Sequence, residues 1–289
     1  MTYVWHILIM ISLYTLLSMS LNIVVGYTGL LSLCHAAFYG IGAYATTLLM
    51  IELGWGFVPA LITAAVLTSL LSLVIAIPSL RFKGDYFVLG TWGFQIIIYS
   101  MIYNWMELTR GPFGIGNIPT PNLLGLTINS AWRYFIFSMV ISGICALLIW
   151  GLCQSPFGRV LKSIREDEIA AESLGKNVLL LKVTAFALGA AFAAIPGGLY
   201  AGYTQYIDPT SFTLNESIFI LSIVIIGGAG NLLGPLIGAI FMVLLPEVLR
   251  SLQIPESVAA GLRQIIYGGI LVVLMRFRPQ GILGDYRFD

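Results

Sequence analysis

The chain has 289 residues, of which 58% are hydrophobic and 9% charged, with a net charge of +1 and a mean hydropathy of +0.94. Soluble domains carry about 25% charged residues, so this chain cannot clothe a water-facing surface, and its near-zero charge excludes a strongly basic nucleic-acid binder. Its three cysteines, Cys34, Cys145 and Cys153, lie in apolar stretches at spacings that suit neither a disulfide framework nor a zinc site. The composition is that of an integral membrane protein.

Val4–Val25 is the first stretch long enough to cross the roughly 30 Å hydrocarbon core. No Lys or Arg precedes it and no small-residue cleavage site follows, so it is expected to remain as a helix rather than leave as a secretory signal. The second segment, within Gly29–Ile51, differs. GYTGLLSLCHAAFYGIGAY (Gly26–Tyr44) holds Gly26, Gly29, Gly40 and Gly42 around Tyr27, Ser32 and His35. Glycines at both ends with polar residues inside point to a broken or re-entrant helix, because freed backbone groups at membrane depth are tolerated only inside protein or along a wet cavity. His35 alone is read first as a satisfied structural residue.

Gly56–Pro78 and Asp85–Trp105 are the third and fourth spans, the latter carrying the polar Thr91 and Gln95. Met106–Ser130, containing ELTRGPFGIGNIPTPN, has the Pro and Gly content of a loop. It is either a plain connector or, alternatively, an outer gate or a landing surface for a soluble partner. Ala131–Leu152 is the fifth span.

Ser155–Lys182 is the one long polar interval. It holds Arg159, Lys162, Arg165, Lys176 and Lys182, five of the 14 basic residues, with Glu166, Asp167, Glu168 and Glu172. Ser155 and Pro156 fit a helix start, Gly175 and Asn177 its end, and Ile164, Ala171 and Leu174 share a rough face. A membrane-surface helix usually presents a basic polar face; this one is mixed and rather acidic, which favours a protein partner.

Leu179–Ala201 follows, with small residues four apart at Ala185, Gly189, Ala193, Gly197 and Ala201, and a neighbouring column at Ala190, Ala194, Gly198 and Gly202. Such columns let another helix approach closely, and packing alone explains them. Leu214–Gly228, Gly234–Leu249 and Val258–Phe277 bring the expected spans to about nine. Glu216 opens the seventh, Glu247 lies near the end of the eighth and Arg263 inside the ninth. Intramembrane charges point to function by default, but all three fall near expected outer ends, where snorkelling or local pairing explains them equally. IGGAGNLLGPLIG (Ile226–Gly238) lacks the Gly-Lys-Ser/Thr ending of a phosphate-cradling loop and reads as a tight turn, and no catalytic constellation is present.

Alternating spans put Arg81, Lys83, the five basic residues of the polar interval, Arg276, Arg278 and Arg287 on one side, and Arg110, Arg133, Arg250 and Arg263 on the other. The positive-inside rule then makes the interval and the C-terminus cytoplasmic and the N-terminus external, with Trp5, Trp55, Trp105 and Trp132 at outer ends. The expected fold is an all-α polytopic membrane protein, a single transmembrane domain over residues 1–289 with a cytoplasmic loop at 155–182.

GRVLKSIREDEIAAESLGKNVLLLKVTAFALGAAFAAIPGGLYA (Gly158–Ala201) resembles the cytoplasmic loop and following span of the permease subunits of branched-chain amino-acid ABC importers, in their LivM-like branch. GYTGLLSLCHAAFYGIGAYA (Gly26–Ala45), LRFKGDYFVLGTWGF (Leu80–Phe94), LTRGPFGIGNIP (Leu108–Pro119), IGGAGNLLGPLIGA (Ile226–Ala239) and FRPQGILG (Phe277–Gly284) resemble the same family, in order over nearly the whole chain. The family usually has Gly where this chain has Cys34, and longer members extend further at the N-terminus.

The resemblance implies a permease subunit of the bacterial-type inner membrane. It would pair with a second, usually different permease, bind two cytoplasmic ATPases that use ATP and Mg, and receive substrate from an extracytoplasmic binding protein; no cofactor would be bound by this chain. AAESLG (Ala170–Gly175) matches the family's ATPase-contacting helix, so Ile164, Arg165, Glu166, Asp167, Glu168, Ala170, Ala171, Glu172, Leu174 and Gly175 are the expected coupling residues. Gly26, Tyr27, Gly29, Ser32, His35, Gly40, Gly42, Thr91, Gln95 and Glu216 are the expected pathway residues. Sparse fixed charge suits a neutral or zwitterionic solute with an apolar side chain. The rivals are a permease of this family for urea or short amides, a stand-alone ion-coupled secondary transporter and, third, a membrane-embedded enzyme.

Overall fold

The computed structural model describes residues 2–82, 84–123, 126–128, 130–251, 266, 268–269, 272–273, 276 and 280–284. Eleven α-helices fall within them: α1 (Thr2–Thr28), α2 (His35–Ile51), α3 (Phe57–Ser79), α4 (Asp85–Asn104), α5 (Met106–Thr109), α6 (Ala131–Gln154), α7 (Pro156–Glu166), α8 (Glu168–Ser173), α9 (Val178–Thr204), α10 (Leu214–Gly227) and α11 (Gly234–Ser251). Five of them, α1, α3, α4, α6 and α9, are long and apolar enough to cross a membrane; α2, α10 and α11 are shorter apolar helices. Each expected span from Val4 to Leu249 therefore meets a helix. Most of Val258–Phe277, with Arg263, lies outside the described residues.

The bundle has two ends. At the end holding the start of α1, the cap end, His6 Nδ1 lies 2.9 Å from Tyr203 Oη near the end of α9, and the Tyr3 hydroxyl donates to Glu247 near the end of α11. The Tyr134 hydroxyl at the start of α6 donates to the Leu199 carbonyl at 2.5 Å. At the opposite, basal end, Gly26 of α1 approaches Gly230 so closely that an added Cβ would sit 2.4 Å from its nitrogen. There also Ile282 and Leu283 donate their N–H groups to Ile226 and Gly227 carbonyls at the end of α10.

α9 and α1 form the buried centre. The two small-residue columns of α9 are packing faces: a Cβ at Gly189 would meet Val24 and the Ser20 carbonyl of α1, at Gly197 the Tyr39 carbonyl of α2, and at Gly202 the Phe57 ring of α3. With little hydrophobic drive between helices in lipid, this close approach supplies the van der Waals contact that holds them.

The architecture is helical but not purely so. Met106–Ser130 carries secondary structure of its own. It contains α5, a 3-10 turn at Gly111–Phe113 and the two-residue strands β1 (Ile115–Gly116), β2 (Asn122–Leu123) and β3 (Leu126–Thr127). β1 pairs antiparallel with β4 (Tyr206–Ile207), Ile115 opposite Ile207, and β2 pairs with β3. Ile118 N–H donates to the Gln205 carbonyl and the Tyr206 hydroxyl to the Phe113 carbonyl, so this segment is stitched to the chain that follows α9.

Candidate translocation and coupling site

Two of the short helices begin inside the bundle. α1 ends at Thr28, Gly29 turns the chain with φ +74°, and α2 starts only at His35. His35 Nε2 lies 2.8 Å from Ser20 Oγ, and Ser20 donates its hydroxyl to the Leu17 carbonyl, so the histidine is the donor to Ser20. Ser20 precedes the end of α1 by eight residues, about 12 Å at 1.5 Å per residue. The start of α2 is thus set back from the basal end, as the glycine-broken sequence requires. α10 has the same character from the other side. The chain descends from β4 through a 3-10 turn at Pro209–Phe212, and α10 opens with Glu216 in its first turn.

Glu216 accepts a 2.7 Å hydrogen bond from Tyr14, at the middle of the 27-residue α1. It therefore sits at mid-depth and not near an outer end as expected from its place in the sequence. The difference arises because Tyr206–Thr213 enters the bundle before helix formation resumes.

Gln95 of α4 joins the two buried helix starts. Its Oε1 accepts from Ala37 N–H of α2 at 2.8 Å and from the Ser217 hydroxyl of α10 at 3.4 Å, and its Nε2 donates to the Phe212 carbonyl at 2.8 Å. Ser217 Oγ also accepts from Ala36 N–H at 3.0 Å, and Thr91 Oγ1 from Leu33 N–H at 3.1 Å. The first N–H groups of a helix lack intrahelical partners, and here side chains of α4 and α10 supply them. Ser32 Oγ lies 3.2 Å from Cys34 Sγ within the same turn.

The structure brings Ser32, His35, Thr91, Gln95 and Glu216 together around this junction, and it adds Tyr14, Ser20 and Ser217. The available signal was the polar Asn-Glu-Ser run opening an otherwise apolar α10. Gly40 and Gly42 have another task. A Cβ at Gly40 would sit 2.9 Å from the Phe212 ring, and one at Gly42 2.3 Å from the Ala194 carbonyl of α9. Both are packing contacts. Between α2, α3 and α4 lies an apolar pocket of about 390 Å³, lined by Ile41, Tyr44, Ala45, Ile75, Phe94 and Ile98 among others.

At the basal end the polar interval forms two helices, where its sequence signals predict one. α7 stops at Glu166, Asp167 is extended (φ −153°, ψ 105°), and its carboxylate caps α8 by accepting from Ala170 N–H at 2.9 Å. Asn177 likewise does not end this element: its Oδ1 accepts from Leu180 N–H, which makes it the N-cap of α9. Gly175, with φ +76°, makes the turn between them. Gly158 lets α7 lie on the end of α6, since a Cβ there would be 2.0 Å from the Cys153 carbonyl.

Ile164 and Ala171 are buried together with Val178, while Leu174, expected on their face, is 79% exposed. Ile169, which carries no sequence signal of its own, is 77% exposed beside it. Glu166, Asp167, Glu168, Ala170, Glu172 and Gly175 also face outward. Lys182 of α9 holds Glu168 at 2.6 Å. Lys162 lies 5.1 Å over the Tyr27 ring, and Arg165 turns inward to the end of α1.

Helices long enough to span, two helices that begin at depth and a charged element outside the spans define a multi-pass helical membrane transport protein. The sequence matches the family described as branched-chain amino acid transport system / permease component over residues 3–275, and the chain belongs to that family. It is 34% identical to the high-affinity branched-chain amino acid transport system permease protein LivM of Salmonella typhimurium (strain LT2), over 95% of this chain and 68% of the relative. It is 27% identical to the probable branched-chain amino acid transport permease protein LivM of Methanocaldococcus jannaschii, over 96% and 92% of the two chains. With the LivH permease protein of Escherichia coli (strain K12) it shares 24% identity, over 94% and 92%. No solved structure matches it. A transport permease of this family with several apolar spans is a multi-pass inner-membrane protein.

Proposed function

We propose that the chain is one transmembrane subunit of an ABC importer for branched-chain or other apolar amino acids. It would pair with a companion permease of the LivH kind and be driven by two cytoplasmic ATPases that bind ATP and Mg. An extracytoplasmic binding protein would deliver the solute. The whole chain acts as one transmembrane domain of about nine spans, with α7–α8 in the cytoplasm and the cap end outside, as the positive-inside rule orients it.

The observation that carries this reading is α7–α8, a charged element seated across the ends of α1, α6 and α9 with Ile169 and Leu174 bare to the basal side. Exposed apolar side chains among charges are what a protein partner covers. ATPase closure would push this element and switch the bundle between its outward- and inward-open forms. The junction of Ser32, His35, Thr91, Gln95 and Glu216 would bound the pathway, where few fixed charges and the neighbouring apolar cavity suit a zwitterion with an apolar side chain.

The test is reconstitution in liposomes with the companion permease, the ATPases and the binding protein, measuring labelled leucine and urea uptake. ATP-dependent leucine uptake is expected. Uptake of urea alone would reassign the substrate, and uptake driven by an ion gradient without ATPases would overturn the reading.

A further inference from the structure

Arg165 stands in the helix expected to meet the ATPases, yet its side chain is 7% exposed and points into the bundle. Nη1 donates to the Gly26 carbonyl at 2.6 Å, while Nε and Nη2 reach Glu166 Oε1 at 3.1 and 2.6 Å. The Gly26 carbonyl is among the last of α1, which no helical N–H serves, and a cation there also meets the negative end of the helix dipole. A second cation of α7, Lys162, lies over the ring of the next residue, Tyr27. A Cβ at Gly29 would fall 3.1 Å from Arg165 Cγ, so the turn that leaves α1 rests on the arginine stem. Six residues further the chain reaches His35, and the first amides of α2 are held by Ser217 and Gln95.

We propose that Arg165 is a positioning residue and not an ATPase contact. Its guanidinium, steadied by Glu166, ties α7 to the end of α1 and to the Gly29 turn, and so carries a displacement of α7 to the buried start of α2. The inference rests on the reading of α7–α8 as the coupling element. It assigns the outward residues Ile169 and Leu174 to docking and the inward Arg165 to transmission. Charge alone does not make this link, because the donor must also reach a carbonyl inside the end of α1; Lys keeps the charge but not the fork.

The experiment uses the complete importer in liposomes carrying Arg165→Gln, Arg165→Lys or Gly29→Ala. With R165Q the ATPases are expected to co-purify at the wild-type ratio while ATP hydrolysed per leucine imported rises about tenfold, the scale of an ordinary coupling free energy. R165K is expected to recover part of the coupling, which a residue needed only for folding would not show. G29A presses on the same stem from the other side and is expected to raise the ratio too; it also serves if R165Q does not accumulate. Wild-type ATP per leucine in R165Q or in G29A overturns the proposal. So does loss of the ATPases from the R165Q complex, which would make Arg165 a docking contact. A wild-type complex that never binds ATPases fails the underlying reading instead, so the two failures are distinguishable.

Discussion

A methyl group on Gly42 would lie 2.3 Å from the Ala194 carbonyl, with no flexible side chain to yield, because the neighbour is backbone of α9. Gly42→Leu is therefore expected to cost at least the 1–3 kcal/mol typical of overpacking, about that much or more. Thermal unfolding of the purified protein in detergent reads it, and an unchanged midpoint would show that α2 and α9 are not in such contact. Gln95→Leu keeps the bulk of the side chain but strips the Phe212 carbonyl of its donor, which costs about 1–3 kcal/mol when the acceptor stays buried. It is expected to lower both the unfolding midpoint and the uptake rate. The sequence singled out Gln95, Thr91 and the glycines alike, because a polar group or a glycine in an apolar stretch is conspicuous. It could not tell a capping side chain from a packing gap, since the partners of Gln95 and Gly42 are distant in sequence: Ala37 and Phe212 for Gln95, Ala194 for Gly42.

The spans were legible as elements because a long apolar run has one solution in lipid. The broken stretch was legible too, since Gly29 and the polar residues after it interrupt a run that otherwise would continue. What escaped was the division of the charged interval at Asp167. An Asp followed directly by Glu in a first turn is a helix-start signal, but it lay in a region already charged throughout, where it did not stand out. Asp167→Ala removes the cap of α8 and is expected to cost about 1 kcal/mol. Ile169→Asp behaves differently. An exposed side chain away from packing changes stability by no more than about 0.5 kcal/mol, so its melting curve should match that of the wild type while the recovery of co-purified ATPases falls. Equal recovery would move the docking surface elsewhere.

For the whole molecule, the two ends are distinguished by what they carry: aromatic anchors and paired strands at the cap, the charged pair α7–α8 at the base. The depth of Glu216 was not legible from its neighbours, because it depends on how far the chain returns into the bundle after β4. Orientation can be measured directly. Cys34, Cys145 and Cys153 are all buried, so an added surface thiol should report alone. In right-side-out vesicles an impermeant maleimide is expected to label Glu107→Cys, and Ile169→Cys only after the membrane is opened. The reverse pattern would invert the protein in the bilayer.

The N–H groups of Ile282 and Leu283 close the last carbonyls of α10, and Asn231 fastens the same segment by donating to the Leu283 carbonyl. The segment 280–284 is therefore a tether. A deletion starting at Gln280 would leave the Ile226 and Gly227 carbonyls open to water and loosen the corner between α10 and α11.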